Sequence, residues 1–447
     1  MTNTTTIYAP ATGFGRAAVS VIRITGPASR DVIQRLAGIL PPVRRLSLRT
    51  LKDPEGDVLD QALVAWMPGP GTFTGEDMAE LHLHGGLAVR EAVLRALAAI
   101  PDCQPAEAGA FSRRAFLNGR LNLTEAEGIA DLIDAETEAQ RRQALRQLDG
   151  VLGRQVSDWR TRLIDLLAGV EAALDFSDEG DVDDTALDAA LYRDARTLRD
   201  EIARSLADGR RGERVREGYV VVLAGPPNAG KSTLLNALSR REAAIVSASP
   251  GTTRDVIEVR CDLGGLPVIL IDTAGLRDTD DPIEAEGIRR TRARMAQADL
   301  VLMLQAADVE RDGSVDGRST DEVPQTPVTI AVLTKQDMEA PGDPRLDHDG
   351  LRVSALTGVG LEDLMGFVEA RAAESLAGGD ALVTRERHRL GLTRCREHLD
   401  RLLQGSALPE LAAEDLRLAV RALGEVAGHV GVEEMLDRLF SGFCIGK

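Results

Sequence analysis

Residues 219–238 constrain the fold of this chain more than any other stretch. Tyr219-Val220-Val221-Val222-Leu223-Ala224 is a β-branched apolar run that stops at Gly225, and Pro226-Pro227-Asn228-Ala229 leads to Gly230-Lys231-Ser232. Thr233-Leu234-Leu235-Asn236-Ala237-Leu238 then carries helical apolar spacing. Strand, glycine loop and helix in the G-x-x-x-x-G-K-S spacing predict a phosphate-binding loop. Glycines let backbone N–H groups close around an anion, and the helix N-terminus adds positive partial charge. In that arrangement Lys231 reaches the β- and γ-phosphates and the Ser232 hydroxyl ligates Mg²⁺. The bland alternative is an ordinary strand–turn–helix connection, which the strand before the motif and the helix after it argue against. Pro226, Pro227 and Lys231 also cut the apolar run too short to span a membrane.

Composition narrows the class further. At 447 residues the chain predicts roughly two to four domains, each with its own core. Its 43% apolar and 28% charged content is that of a soluble globular protein. Only 3% is aromatic, which disfavours stacking surfaces for single-stranded nucleic acid. A net charge of −18 argues against a general polyanion binder, while leaving room for a local basic face. Cys103, Cys261, Cys395 and Cys444 are scattered without C-x-x-C spacing, so neither a disulfide framework nor a zinc site is expected. The first residues lack a positive segment followed by an apolar one, so no secretory signal is read and a cytoplasmic location is expected, with no membrane partner.

Along the chain, residues 1–120 mix short apolar runs with turns. Residues 18–24 alternate like a strand, and residues 62–67 before Pro68-Gly69-Pro70-Gly71 predict another. Residues 79–84 run into Gly85-Gly86, and a helical pattern follows over 89–100. His82 and His84 share one strand face, a spacing that suits a metal; with no acidic or Cys partner evident there, a packed or surface pair is expected. From about residue 124 the texture is helical, with Thr124-Glu125-Ala126-Glu127 as a capping box. Val156, Trp159, Leu163, Leu166, Val170 and Leu174 form a stripe expected to be core or a dimer face. Residues 175–184 read as a solvated acidic loop, and Gly209-Arg210-Arg211-Gly212-Glu213-Arg214 as a hinge. Strands near 219–224, 268–271, 300–304, 328–333 and 351–353 alternate with helices, which predicts a parallel, doubly wound sheet. The expected architecture is multidomain: an α+β N-terminal domain over 1–120, an all-α helical domain in two pieces over 121–215 and 377–447, and an inserted α/β P-loop domain with a mostly parallel sheet over 216–376.

Four further stretches follow the order a GTPase requires. In Val268-Ile269-Leu270-Ile271-Asp272-Thr273-Ala274-Gly275, Asp272 is expected to hold the Mg²⁺ shell through water and the Gly275 N–H to sense the γ-phosphate. In Gly251-Thr252-Thr253-Arg254-Asp255, Thr253 is the candidate for a second hydroxyl on Mg²⁺. Thr334-Lys335-Gln336-Asp337 offers a carboxylate that accepts from both N1–H and the exocyclic amine of guanine, a pair that adenine lacks. Ser354-Ala355-Leu356 is expected to contact the base. Each motif is weak alone, but five in order are strong, and the segment resembles the GTPases. The expected GTP site comprises Asn228, Ala229, Gly230, Lys231, Ser232, Thr233, Ser247, Thr252, Thr253, Asp272, Thr273, Ala274, Gly275, Thr334, Lys335, Asp337, Ser354, Ala355 and Leu356. Two departures stand out. Leu276 occupies the place where many GTPases carry a water-orienting Gln. Thr334 replaces the usual Asn of N-K-x-D, which puts one bridging hydrogen bond and some nucleotide affinity at stake, while Asp337 preserves guanine selection.

The ends of the chain narrow the subgroup. Phe440-Ser441-Gly442-Phe443-Cys444-Ile445-Gly446-Lys447 resembles the F-C-[IV]-G-K ending of the MnmE (TrmE) family of tRNA-modifying GTPases. Phe73-Thr74-Gly75-Glu76-Asp77, Phe111-Ser112-Arg113-Arg114-Ala115-Phe116 and Pro227-Asn228-Ala229-Gly230-Lys231-Ser232 resemble that family too, so the likeness covers essentially the full chain. The resemblance implies a homodimer, joined into a heterotetramer with a flavoprotein partner, MnmG, that acts on tRNA. Together they install carboxymethylaminomethyl or aminomethyl groups on the wobble uridine, with formyl- or methylene-tetrahydrofolate as one-carbon carrier. It further implies folate contacts at Arg23, Glu80, Arg120 and Lys447, with Arg120 standing where Lys is expected. A potassium-stimulated GTPase is also implied, with K⁺ held by Asn228, Ser247, Ser249 and Thr252 and with paired G domains in the transition state. A monovalent cation beside the phosphates supplies the charge that an arginine finger supplies elsewhere. By the same resemblance Glu284 positions the attacking water in place of the missing Gln; its plain alternative is a solvated acid at a helix start, like its neighbour Glu286. Cys444 has no assigned role beyond that of a small, semi-buried residue. Two other classes share the nucleotide motifs: a GTP-switched ribosome-assembly factor, which should carry a basic RNA-binding module, and a nucleotide-binding interaction protein without turnover.

Overall fold

The computed structural model describes residues 5–176, 184–240, 244–245, 258–272, 298–307, 328–338, 351–377, 381–404, 409–428, 433–443 and 445–446. Two compact units divide the chain. One comprises Met1–Ala130, Gln147–Arg196 and Arg394–Lys447, the other Asp131–Arg146 and Thr197–Thr393.

The first unit contains a six-stranded sheet in the order β3-β4-β5-β2-β1-β6. Its strands are β1 (Thr6–Pro10), β2 (Val19–Thr25), β3 (Ser47–Lys52), β4 (Val58–Met67), β5 (Met78–His84) and β6 (Cys103–Pro105). All neighbours are antiparallel except β1 and β6. Alternation along β2 and β5 turns Ile22, Ile24, Leu81 and Leu83 inward. There they pack with Val32 and Ile33 of α1 (Ser29–Ala37) and Val93 and Leu97 of α2 (Leu87–Ala98). Each such side chain contributes about 1.5–3 kcal/mol by leaving water. The same alternation leaves Arg23, Glu80, His82 and His84 on the opposite face of the sheet.

The helices of this unit follow. They are α3 (Ala110–Leu117), the start of α4 (Leu123–Asp134), the end of α5 (Glu138–Leu148), α6 (Val151–Phe176) and the first half of α7 (Asp184–Ala207). The expected capping box is shifted by two residues. Asn122 Oδ1 accepts from Glu125 N at 2.8 Å, and Glu125 Oε2 accepts from Asn122 N at 2.8 Å. Thr124 lies inside the helix with its hydroxyl donated to Asn122 Oδ1 at 2.7 Å. Asn is a stronger cap than Thr, and an earlier start lets Leu123 be buried in the first turn. In the stripe along α6, Val156, Trp159, Leu163 and Val170 are core, and Leu166 and Leu174 are half-buried.

Seven strands form the sheet of the second unit, in the order β13-β12-β11-β7-β10-β9-β8. They are β7 (Tyr219–Ala224), β8 (Ala244–Ile245), β9 (Glu258–Leu263), β10 (Leu266–Asp272), β11 (Leu300–Ala306), β12 (Val328–Thr334) and β13 (Leu351–Arg352). The five from β10 to β13 through β7 are parallel, and β9 and β8 extend the sheet antiparallel. The fold is therefore α/β with a mostly parallel sheet. Val221 and Leu223 face Leu234, Leu235 and Leu238 of α9 (Lys231–Ser239), with Leu364 and Val368 of α10 (Leu361–Leu376) in the same core. Val222, Ala224, Ile271 and Val301 fill the other face. Burial on both faces is why these strands read as continuous apolar runs. The stretch expected to be a hinge, residues 209–214, is instead helical, within α8 (Gly209–Glu217). Gly212 serves close packing there: a Cβ would lie 2.0 Å from the Val383 carbonyl oxygen.

The remaining helices are α11 (Glu386–Leu403), α12 (Pro409–Ala427) and α13 (Glu433–Ser441). Within the first unit, α12 packs along α6, and Leu436, Phe440 and Phe443 join Leu123 and Ala126 in a small core. Gly109, at φ 68°, allows Phe440 to approach: a Cβ there would lie 2.6 Å from the Phe440 carbonyl oxygen. Ile445 bridges Ala108, and Gly446 lies against Pro10 at the end of β1.

Candidate functional site

Strands β7, β10, β11 and β12 run parallel, so their C-terminal ends, at Ala224, Asp272, Ala306 and Thr334, open on one edge of the sheet. The loop after β7 begins at Gly225, φ 145°, where a Cβ would lie 2.5 Å from the Leu304 carbonyl oxygen. Asn228 (φ 63°) and Gly230 (φ 85°) are left-handed, and Gly230 caps α9. The first turn of α9 therefore presents backbone N–H groups without helical partners at this edge. Lys231 folds its ammonium back over the loop and donates to the Gly225 and Pro226 carbonyls at 2.8 and 2.9 Å. Burial pulls the Lys231 ammonium below its ordinary range, with the Asp272 carboxylate opposing.

Ser232 Oγ donates to Asp272 Oδ2 at 2.6 Å. Asp272 is 3% exposed, and its Oδ1 has no hydrogen-bond partner among the described residues. A buried carboxylate with one open oxygen beside a hydroxyl, below a helix N-terminus, is a donor set of hard oxygens. It fits Mg²⁺ held between protein and phosphate.

The base-facing side is built from β12 and the segments after it. Thr334 is buried, and its hydroxyl donates to the Ala229 carbonyl at 2.7 Å, with the Gln305 carbonyl at 3.2 Å. A bridge to the phosphate loop is therefore present although Asn is not. Lys335 adopts φ 59°, and Gln336 N donates to the Val353 carbonyl at 3.2 Å. Ser354 Oγ donates to Asp337 Oδ1 and also accepts from Thr357 N at 3.2 Å, so the Asp337 carboxyl is oriented from the 354–357 turn. Between this turn and α9 lies a cavity of about 560 Å³ lined by Thr233, Asn236, Ala237, Arg240, Ala355, Leu356, Thr357, Gly358 and Leu361. The motifs predict nucleotide contact for Thr233, Ala355 and Leu356; Asn236 and Arg240, one and two helical turns beyond the phosphate loop, lie outside any motif.

Of the expected site residues, the structure gathers Asn228, Ala229, Gly230, Lys231, Ser232, Thr233, Asp272, Thr334, Lys335, Asp337, Ser354, Ala355 and Leu356 around this edge and cavity. Ser247, Ser249, Thr252, Thr253, Thr273, Ala274, Gly275, Glu284, Cys444 and Lys447 lie outside the described residues, as does most of the acidic stretch 175–184.

On the other face of the first sheet, Arg23 and Glu80 are register partners on β2 and β5, with Arg23 Nε 3.1 Å from Glu80 Oε1. Glu80 Oε2 meets His82 Nε2 at 3.2 Å. His84 Nδ1 meets Asp60 Oδ1 at 2.7 Å, and Asp60 Oδ2 accepts from His84 N at 2.8 Å. Both histidines thus have acidic partners: Glu80 sits two residues before His82 on the same strand face, where strand spacing puts it, whereas Asp60 comes from β4 and spacing could not reveal it. Each has its own carboxylate, and among the described residues no group of His, Cys, Asp and Glu converges as a metal site. Arg120 lies beside the 73–77 turn, its Cγ 3.2 Å from where a Gly75 Cβ would stand. Arg114 braces that turn by donating to Glu76 Oε2 at 2.8 Å. The described cysteines are buried and unpaired.

A family model described as the MnmE helical domain matches residues 123–444, and one described as the GTP-binding protein TrmE N-terminus matches residues 6–120. A tRNA modification GTPase MnmE of Methylorubrum populi is 68% identical over 447 residues, covering 99% of this chain and 98% of that protein. One of Methylobacterium radiotolerans is 64% identical and covers 100% of both chains. One of Rhodospirillum rubrum is 50% identical over 465 residues and covers 99% of both.

Proposed function

This chain belongs to the MnmE family of tRNA modification GTPases, and we propose that it hydrolyses GTP to GDP and phosphate to drive modification of the wobble uridine of tRNA. The observation that carries the reading is the pairing at one sheet edge of Ser232–Asp272 with Asp337–Ser354, one pair suited to Mg²⁺ and phosphate and the other to guanine. No helix among the described residues is long and apolar enough to cross a membrane.

In this account the loop 225–232 and the first turn of α9 wrap the phosphates. Lys231 exchanges its two loop carbonyls for phosphate oxygens, which replaces neutral acceptors by charged ones. Ser232 and Thr253 would hold Mg²⁺, with Asp272 anchoring it through water. Bound there, Mg²⁺ neutralises charge that builds on the phosphates. Asp337 selects guanine, and Ser354, Ala355 and Leu356 line its base. Thr273, Ala274 and Gly275 are assigned to GTP, with the Gly275 N–H sensing the γ-phosphate. Because Leu276 has no amide, Glu284 is assigned to orient the attacking water. Asn228, Ser247, Ser249 and Thr252 are assigned to K⁺, since an all-oxygen set suits a hard cation.

The wider assignment rests on the family. The chain pairs with a second copy and with the flavoprotein MnmG. A tetrahydrofolate carrying a formyl or methylene unit is held by Arg23, Glu80, Arg120 and Lys447. The Arg23–Glu80 contact supports this: a guanidinium and a carboxylate side by side, each half-buried, complement a ligand with both acceptor and donor edges. The test is hydrolysis of GTP and ATP by the full chain in KCl and in NaCl. GTP-selective turnover that is faster in K⁺ is expected, and Glu284→Ala should lower it. Equal rates in the two salts would remove the potassium assignment, and absent GTP turnover would remove the activity.

A further inference from the structure

Thr334 does a different job from the residue whose place it takes. A hydroxyl carries one proton. That of Thr334 points to two acceptors, the Ala229 carbonyl at 2.7 Å and the Gln305 carbonyl at 3.2 Å, in a residue only 4% exposed. Both partners are carbonyls, so neither can donate back, and the proton is spent inside the protein. A side-chain amide at this position would bring two N–H protons and could bond the loop and a ligand together. The major-groove edge of a guanine presents only acceptors, N7 and O6. Thr334 has no donor left for it.

The same bond joins two segments with separate tasks. Ala229 sits in the phosphate loop, one residue before the Gly230 cap, and Thr334 opens the segment that carries Asp337. The strap therefore fixes the spacing between phosphate recognition and base recognition.

We propose that Thr334 is a positioning residue that straps the base-reading segment to the phosphate loop and leaves N7 of the purine unread, so that guanine is selected on its N1 and amino edge alone. This rests on the GTPase reading above. The test is equilibrium binding of GTP, 7-deaza-GTP and ATP to the full chain with Mg²⁺. GTP and 7-deaza-GTP should bind within about twofold of each other, because no hydrogen bond is lost with N7. Thr334→Val should weaken both by the same factor, roughly two- to tenfold, as one buried hydrogen bond goes, and Thr334→Ser should restore both. Rescue by Thr334→Ser, which keeps the hydroxyl and removes only the methyl, is the readout that general destabilisation would not produce, and the wild-type comparison needs no variant to fold. A wild-type preference for GTP over 7-deaza-GTP of about tenfold or more would overturn the proposal, as would Thr334→Val binding with unchanged affinity. ATP binding as tightly as GTP would overturn the GTPase reading itself and this proposal with it.

Discussion

Asp272→Asn separates the role of a charge from that of a shape. The amide keeps an oxygen to accept the Ser232 proton, now at 2.6 Å, so the local packing survives. What disappears is the negative charge whose Oδ1 is buried and without a partner among the described residues. A hydrogen bond to a charged group is worth about 1.5–3 kcal/mol, so losing the one that anchors the metal's water should weaken Mg²⁺·GTP binding roughly ten- to hundredfold. Without Mg²⁺ the sign reverses. With no cation between carboxylate and triphosphate, removing the carboxylate relieves repulsion, and the variant should bind GTP in EDTA at least as well as the wild type. Titration of a fluorescent guanine nucleotide in Mg²⁺ and in EDTA reads both arms. If the ratio of the two affinities is the same in variant and wild type, Asp272 does not serve the metal, and the assignment built on its open oxygen is wrong.

Three further outcomes follow from the same structure. Asp337→Asn should weaken GTP and favour xanthosine triphosphate, because xanthine offers a carbonyl where guanine has its amine; competition binding with the two nucleotides measures the switch, and an unaltered preference would exclude Asp337 from base recognition. Gly109→Ala places a Cβ 2.6 Å from the Phe440 carbonyl oxygen at a positive φ, so left-handed strain and overpacking together should cost about 2–5 kcal/mol in urea unfolding, whereas a wild-type curve would mean α13 is not seated there. Burial pushes the Cys103 and Cys261 thiols up to about 11 and that of Cys395 to about 12. Unfolded thiols ionise near about 8.5, so above that pH the unfolded chain binds fewer protons, and the stability these thiols contribute is intact below it and falls as pH rises towards 11. Alkylation at pH 8 followed by peptide mass analysis should leave all three unmodified in the folded chain and modified in urea; ready native labelling would contradict their burial.

How much the sequence disclosed depends on the distance over which each feature is encoded. The strand, loop and helix of 219–238 are local, and the parallel strands announce themselves as apolar runs between helices because both faces are buried. Strand β9 is absent from the sequence reading although Glu258-Val259-Arg260-Cys261-Asp262-Leu263 alternates charge and apolar residues as an antiparallel strand should, and Gly264-Gly265, both at positive φ, makes the two-residue turn into β10. The cap of α4 was misplaced by two residues because both Asn122 and Thr124 are acceptable caps, and only the burial of Leu123 decides between them. Glycines in 209–214 suggested freedom, whereas Gly212 admits the Val383 carbonyl, a neighbour that folding alone supplies. At the site, residue types were legible and partners were not. Asp60 reaches His84 across 24 positions, and Thr334 reaches Ala229 across 105. A motif states what a residue could donate; only the fold shows where the proton goes.

The central claim is that a guanine nucleotide machine in this chain serves tRNA modification. Nucleoside analysis of tRNA from cells lacking the chain, and from the same cells supplied with the wild type or with Asp337→Asn, tests it most directly. Loss of the carboxymethylaminomethyl or aminomethyl group from the wobble uridine is expected, restored by the wild type and not by the variant. Intact wobble modification in cells without the chain would contradict it.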